Sequence, residues 1–235
     1  MFSLRFINDY LEQMAQAIFK SWFIDFSKYN GEELEDCELG KKPITWTVGS
    51  LLDIAQYLNG LAMQKFRPNA DEQGIPVLKI KELRQGSCDA SSEQCATNIN
   101  PEYIVRDGDV IFSWSGSLLV DFWCGGTCGL NQHLFKVTSN IYDKWFYYVW
   151  TNYHLQKFIA IAADKATTMG HIKREDLSSS LVLIPDSDSY KKIGELLSPI
   201  YDQIILNRIE NRKLAEVRDN LLPKLMSSEI SVADL

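Results

Sequence analysis

The chain has 235 residues, 46% of them apolar or aromatic, which suffices for one sizeable globular core with an accessory element. No apolar run approaches the roughly 18 residues a bilayer span needs, and the first residues turn charged and helical at once, unlike a secretory signal; both point to the cytoplasm. The net charge of −7 argues, taken alone, against a nucleic-acid partner, but residues 1–40 carry 3 basic and 8 acidic side chains, 41–185 carry 14 of each, and 186–235 carry 7 and 9, so the middle is neutral.

Residues 5–24 predict a helix, with Phe6, Tyr10, Leu11, Met14, Ala17, Ile18 and Ser21 recurring at three- and four-residue steps and Asn8 or Asp9 placed to cap it. Residues 1–26 form this N-terminal helical segment. Residues 27–43, "SKYNGEELEDCELGKKP", read as an acidic linker punctuated by Asn, Gly and Pro.

From 44 to 186 the pattern becomes that of a mixed α+β domain. "ITWTV" is a short strand, "GSLLDIAQYLNG" a short helix or turn ended by Gly60, and "GIPVLKIKEL" a strand. Residues 85–101 form a polar loop without periodicity. "DGDVIFSWSGSLLVDFW" predicts two alternating strands joined at "SGS", and "GLNQHLFKV" a further strand. Residues 140–163 read as one aromatic-rich helix, "DKATTMGHI" as a loop, "KREDLSSS" as a helical turn and "LVLIP" as a strand.

Residues 187–235 hold a long helix and a tail. Ile193, Ile200, Asn207, Leu214 and Leu221 lie seven apart, and Leu197, Ile204 and Asn211 follow on the neighbouring row, a coiled-coil seam in which Asn207 fixes register. Pro223 is placed to break it. Leu11, Met14 and Ile18 match Leu214, Val217 and Leu221 in spacing, a weak internal echo.

No phosphate-binding loop, nucleophile elbow, zinc-protease motif or dinucleotide fingerprint is present. Of the five cysteines only Cys124 and Cys128 have zinc-knuckle spacing, and they sit in a strand–turn–strand pattern. Cys124 or Cys128 with His133 is one reading, a small cytosolic thiol enzyme; the other is a strand histidine that ties loops together. Asp107 and Asp109 read as a structural turn. Basic residues fall in polar loops: Lys65, Arg67, Lys79, Lys81, Lys165, Lys173 and Arg174. Cations for phosphates beside hydrogen-bonding side chains for base edges are what a DNA-reading face needs; solvated surface lysines are the competing reading.

The segments "GIPVLKIKEL", "DGDVIFSWSGS", "LNQHLFKV", "ATTMGHIKREDL", "LVLIP" and "VRDNLLPKLMSSEI", in that order, give a chain that resembles the specificity (S) subunit of type I restriction–modification enzymes. "LEQMAQAIFKSWFIDF" looks like the end of that family's central helical region. The resemblance implies a non-catalytic DNA-recognition subunit with no cofactor of its own. Its partners would be double-stranded DNA, methyltransferase subunits carrying S-adenosylmethionine, and restriction subunits using ATP and Mg.

It also implies a fold: one target-recognition domain over 44–186, with a long coiled-coil-type spacer helix over 187–235 and a short N-terminal helix. One recognition domain instead of two suggests the second half of such a subunit, or a natural half-subunit acting as a homodimer. The DNA-facing residues are then expected at Lys65, Arg67, Lys79, Lys81, Ser115, Ser117, Lys165, Thr167, Thr168, His171 and Lys173. The partner helix face is expected at Ile193, Leu197, Ile200, Ile204, Asn207, Leu214, Val217 and Leu221. A coiled-coil adaptor without DNA reading is the remaining alternative.

Overall fold

The computed structural model describes residues 2–29, 33–164 and 171–227. Helix α1 (Phe2–Phe19) runs into a π-helical turn at Lys20–Ile24. The stretch that reads as a linker instead carries a two-stranded hairpin, β1 (Leu34–Cys37) and β2 (Gly40–Pro43), turned at Gly40 with φ +102°. Its charged composition hides the pairing, because a small two-stranded ribbon needs only one partly covered face.

The domain then alternates short elements: β3 (Thr47–Ser50), α2 (Leu51–Ile54), β4 (Gln56–Asn59), β5 (Ile75–Leu78), α3 (Ile80–Gln85), β6 (Gln94–Cys95) and β7 (Ile104–Val105). The strands β8 (Val110–Ser113) and β9 (Leu119–Phe122) pair as predicted across the "SGS" turn. The single strand expected over 129–137 is two, β10 (Cys128–Leu130) and β11 (Leu134–Thr138), because the chain turns at Asn131–His133 and changes sheet. The aromatic helix is likewise two, α4 (Lys144–Tyr153) and α5 (Leu155–Asp164), interrupted at His154. There the ring Nε2–H donates to Leu181 O (2.7 Å), and burial lowers the imidazole pKa. After α6 (Arg174–Ser178) and β12 (Leu181–Ile184) comes α7 (Ser187–Met226).

Two four-stranded sheets, β4-β11-β8-β9 and β6-β5-β10-β7, and the pair β12-β3 make up the domain. Among the named strands of the described residues β10 and β5 run parallel and the other pairs antiparallel. Strand β8 is buried on both faces. Phe112 enters a large core with Phe23, Trp46, Trp145, Phe146, Trp150 and Phe158, and Ile111 enters a smaller one with Leu78, Trp123, Leu130 and Leu134. Alternation along a strand thus serves two cores at once.

The 40 residues of α7 span about 60 Å and pass through Pro199 and Pro223 without ending. Pro223 does not break the helix: it lies in the last, largely exposed turn, where the missing intrahelical bond faces solvent rather than a core. The seven-residue stripe is not one free partner seam. Ile193, Leu197, Ile204 and Asn207 are buried within their own chain, packed on α4 and α1, and Ile200 is half-buried there. Farther along, Leu214 and Val217 are exposed and Leu221 is half-covered.

Asn8 is not a helix cap, since α1 begins six residues earlier. It is buried on α7, where its side-chain amide donates to Ile204 O (3.3 Å) and its Oδ1 accepts from Asn207 Nδ2 (2.8 Å). Gln203 Nε2 donates to Asn207 Oδ1 (2.8 Å). Asn207 thus lies in the contact between two helices of the same chain rather than in a free seam. Substituting Asn207→Ala strands the buried Asn8 carbonyl and should destabilise the protein by about 1–3 kcal/mol in urea unfolding. A double-variant cycle with Asn8→Ala should show coupling, and strict additivity would contradict this pairing.

Candidate nucleic-acid interface

Three of the polar residues singled out in the sequence, Ser115, His133 and His171, meet where the hairpin tip, the turn between β10 and β11, and the segment before α6 come together. The "SWSGS" tip turns at Gly116 (φ +63°). Ser115 is buried and its Oγ shares a hydrogen bond with His133 Nδ1 (3.1 Å), while Ser113 Oγ donates to Ser117 O (2.8 Å). Ser115 pairs with His171 as an isolated antiparallel bridge, and Ile172 N–H donates to Trp114 O (3.1 Å). The Trp114 ring stands 5.2 Å from the His171 ring and 6.1 Å from that of His133, and its Nε1–H donates to Asn59 Oδ1 (3.0 Å). His171 Nδ1 has no hydrogen-bond partner among the described residues.

Backbone contacts hold this face. Gln132 N–H donates to Leu61 O (2.9 Å), Leu61 N–H to Leu130 O (2.9 Å), and His133 N–H to Asn131 Oδ1 (3.2 Å). Asn131, Gln132 and His133 therefore pin loops to strands, as their sequence suggested. Gly60 is required here, because a Cβ at this position would stand 2.3 Å from Asn131 O.

Ile80 lies 3.8 Å from where a Gly116 Cβ would stand, so the tip borders the segment carrying Lys79 and Lys81. Neither lysine is free. Lys79 pairs with Glu93 (2.7 Å); Lys81 pairs with Asp89 (3.3 Å) and donates to Ser91 Oγ (2.8 Å). Lys65 ends the short 3-10 turn Met63–Lys65, Arg67 follows it, and both are exposed. Lys173 is exposed at the start of α6, where its backbone N–H donates to Asp176 (2.7 Å). Lys165, Thr167 and Thr168 lie outside the described residues.

Among the described residues no thiol meets His133. The Cys124 Sγ–H points at Phe122 O and Ile205 O (3.7 and 3.9 Å), and burial pushes that thiol up to about 11. Cys128 faces Cys88, and the His133 ring is engaged by Ser115 and Gln132.

Sequence reasoning missed the anchors that fix this face relative to α7. Arg208 binds Asp121 Oδ1 (2.6 Å) on β9 and Glu12 Oε1 (2.9 Å) on α1. Burial opposes its charge, but Asp121 and Glu12 outweigh that and raise its pKa. Burial raises the Glu12 carboxyl, and Arg208 pulls the other way. One turn on, Arg212 grips Asp107 with both nitrogens (3.0 and 2.9 Å) and donates to Cys124 O (2.8 Å). Asp107 also accepts from Gly126 N–H (2.7 Å), and Asp109 holds Lys136 (2.9 Å), so both acids of the DGD turn are structural. The legible signal was two arginines four apart on one helix.

The geometry is that of an α+β domain carried on a helix pair, with a polar, aromatic face at its loop end. A family model for the "Type I restriction modification DNA specificity domain" matches residues 43–217. The Type I restriction enzyme MjaIX specificity subunit of Methanocaldococcus jannaschii is 29% identical, covering 97% of this chain and 55% of that protein. The EcoBI specificity subunit of Escherichia coli is 23% identical, covering 80% of this chain and 39% of that one. The crystal structure of a type I restriction–modification S subunit from M. genitalium shares the fold with a TM-score of 0.56 at 10% identity, over 95% of this chain and 56% of that one. The chain thus spans about half the length of the curated relatives it matches. It belongs to the type I restriction–modification DNA specificity family. Specificity subunits of these systems are non-catalytic, which disposes of the thiol-enzyme reading.

The scaffold role of Gly60 is testable. Gly60→Ala should cost about 1–3 kcal/mol of stability through overpacking and should speed amide exchange at residues 131–133. Unchanged stability and exchange would show that the two loops do not depend on this close approach.

Proposed function

We propose that this chain selects the DNA sequence for a type I restriction–modification complex in the cytoplasm. In this reading the domain binds one half of a bipartite target in double-stranded DNA. It docks adenine-methyltransferase subunits, which carry S-adenosylmethionine, and restriction subunits, which use ATP and Mg. The chain contributes no chemistry and no cofactor. The observation that carries the proposal is the family match across 43–217, the segment that builds the face of Ser115, Ser117, His133, His171 and Trp114.

The DNA-facing set is Lys65, Arg67, Lys79, Lys81, Ser117, Lys165, Thr167, Thr168, His171 and Lys173, while Ser115, buried beneath the tip, holds His133 from behind. Because Lys79 and Lys81 are held by acids and the net charge is negative, the chain alone binds DNA weakly, and its partners supply most of the phosphate contacts.

A second copy completes the reader. Phe6, Tyr10 and Met14 of α1 and Leu214 and Val217 of α7 expose apolar surface on the two helices that carry the domain. Two copies covering these faces about a two-fold axis would place two domains at a spacing set by helix length.

Mapping methylated adenines in DNA from cells holding this chain and its methyltransferase should yield a bipartite, palindromic motif with an unspecified spacer. Methylation without sequence preference would refute DNA reading, and an asymmetric motif would refute the symmetric pair. In sedimentation the chain should be a dimer at micromolar concentration, and Leu214→Glu with Val217→Glu should make it monomeric without lowering its unfolding midpoint. A wild-type monomer, alone and with the methyltransferase, would overturn the pairing.

A further inference from the structure

We propose that Cys88 and Cys128 are a reversible disulfide pair whose oxidation locks the acidic loop 86–93 onto the domain. The sulfurs are 3.4 Å apart although the residues are 40 positions apart in sequence. Cys128 is fixed in β10, opposite Val105 and wholly buried; Cys88 is half-buried in the loop that follows α3. A disulfide needs the sulfurs at about 2.05 Å. The approach of about 1.4 Å falls to the loop side, which leaves α3 through Gly86 at φ +75° and can adjust around that residue.

The pair has distinct ends. The Cys128 S–H directed at Cys88 lowers the Cys88 pKa, and the same contact together with burial raises that of Cys128. Cys88 is thus the more accessible and more acidic thiol, and Cys128 the buried resolving thiol. With a peroxide as oxidant, the Cys88 thiolate attacks one peroxide oxygen and the O–O bond breaks, leaving a Cys88 sulfenic acid and, after proton uptake, one water. Cys128 then attacks the Cys88 sulfur; the S–O bond breaks, and the departing hydroxide leaves as a second water with the Cys128 proton. Two thiols lose two electrons and two protons, and one peroxide becomes two waters. Thiol exchange with a dithiol reverses it.

The loop makes this consequential. Asp89 and Ser91 hold Lys81, and Glu93 holds Lys79. Ser92 Oγ bonds the buried Glu82 (3.1 Å) and accepts from Asp89 N–H (3.1 Å). A covalent tie at residue 88 keeps this loop, and its acids, over both lysines. That the oxidised protein would engage phosphate less well rests on the DNA-reading role proposed above; the cross-link and the locking do not.

The reduced chain, treated with hydrogen peroxide, should lose the mass of two hydrogens and two titratable thiols. Peptide mapping should join Cys88 to Cys128, and amide exchange in 86–93 should slow at least tenfold. Cys88→Ser should keep every other thiol reduced under the same treatment, and Cys128→Ser should accumulate a sulfenic acid at Cys88 that dimedone traps. Cys95→Ser, whose sulfur packs against Gly129 on β10, should behave as wild type. Five free thiols after peroxide, a bond through Cys95 instead, or a Cys88–Cys128 bond that leaves loop exchange unchanged would each overturn the proposal. None of these readouts requires DNA, so failure of the DNA reading would leave them intact.

Discussion

Everything about how this domain is presented depends on two arginines of one helix. Arg208 is shared by Asp121 of the sheet and Glu12 of the N-terminal helix, and Arg212 is gripped by Asp107 at the root of the hairpin. A guanidinium offers several donors in a rigid plane, so it can hold two elements at a fixed angle where a lysine would only attract them. Partial burial raises the cost of leaving these charges unpaired. The result is that one helix is tied by charge to the sheet, to the root of the hairpin and to α1.

The asparagine pair adds register to that orientation. Asn207 Nδ2 donates to Asn8 Oδ1 and Asn8 Nδ2 to Ile204 O inside an otherwise apolar contact, so a slide of α1 along α7 would strand the buried Asn8 amide and the Asn207 Nδ2 donor. Register and angle together set where the polar, aromatic face stands relative to the helix pair. For a family whose domains select DNA sequences, that position matters as much as the side chains on the face. The apolar residues left open on α1 and on the distal part of α7 lie on the same two helices, so an assembly partner would inherit the same geometry.

Legibility varied with the physics. The hairpin β8–β9, the aromatic helical region and the long α7 showed in periodicity, because each carries apolar residues at the spacing of its own element. The hairpin β1–β2 did not, because charged residues cover it. The break at Asn131–His133 was hidden because turn and strands share one run of β-compatible residues. For the candidate face, Ser115, His133 and His171 stood out by residue type, but Trp114 and Asn59 joined them only through packing. The engagement of Lys79 and Lys81 by Glu93 and Asp89 was not visible, since it arises from a loop that folds back over β5 and α3.

The sequence by itself determined the fold class and the family, because hydrophobic spacing and ordered motifs are local properties that survive without coordinates. It could not determine what the long helix packs against. A seven-residue apolar repeat states only that some helix must cover it. The tertiary structure decided that α1 of the same chain and the domain's own core cover its first half and leave Leu214 and Val217 open. It also decided the meeting of Cys88 with Cys128, and of Arg208 and Arg212 with their acids, because contacts between distant residues are set by packing in three dimensions.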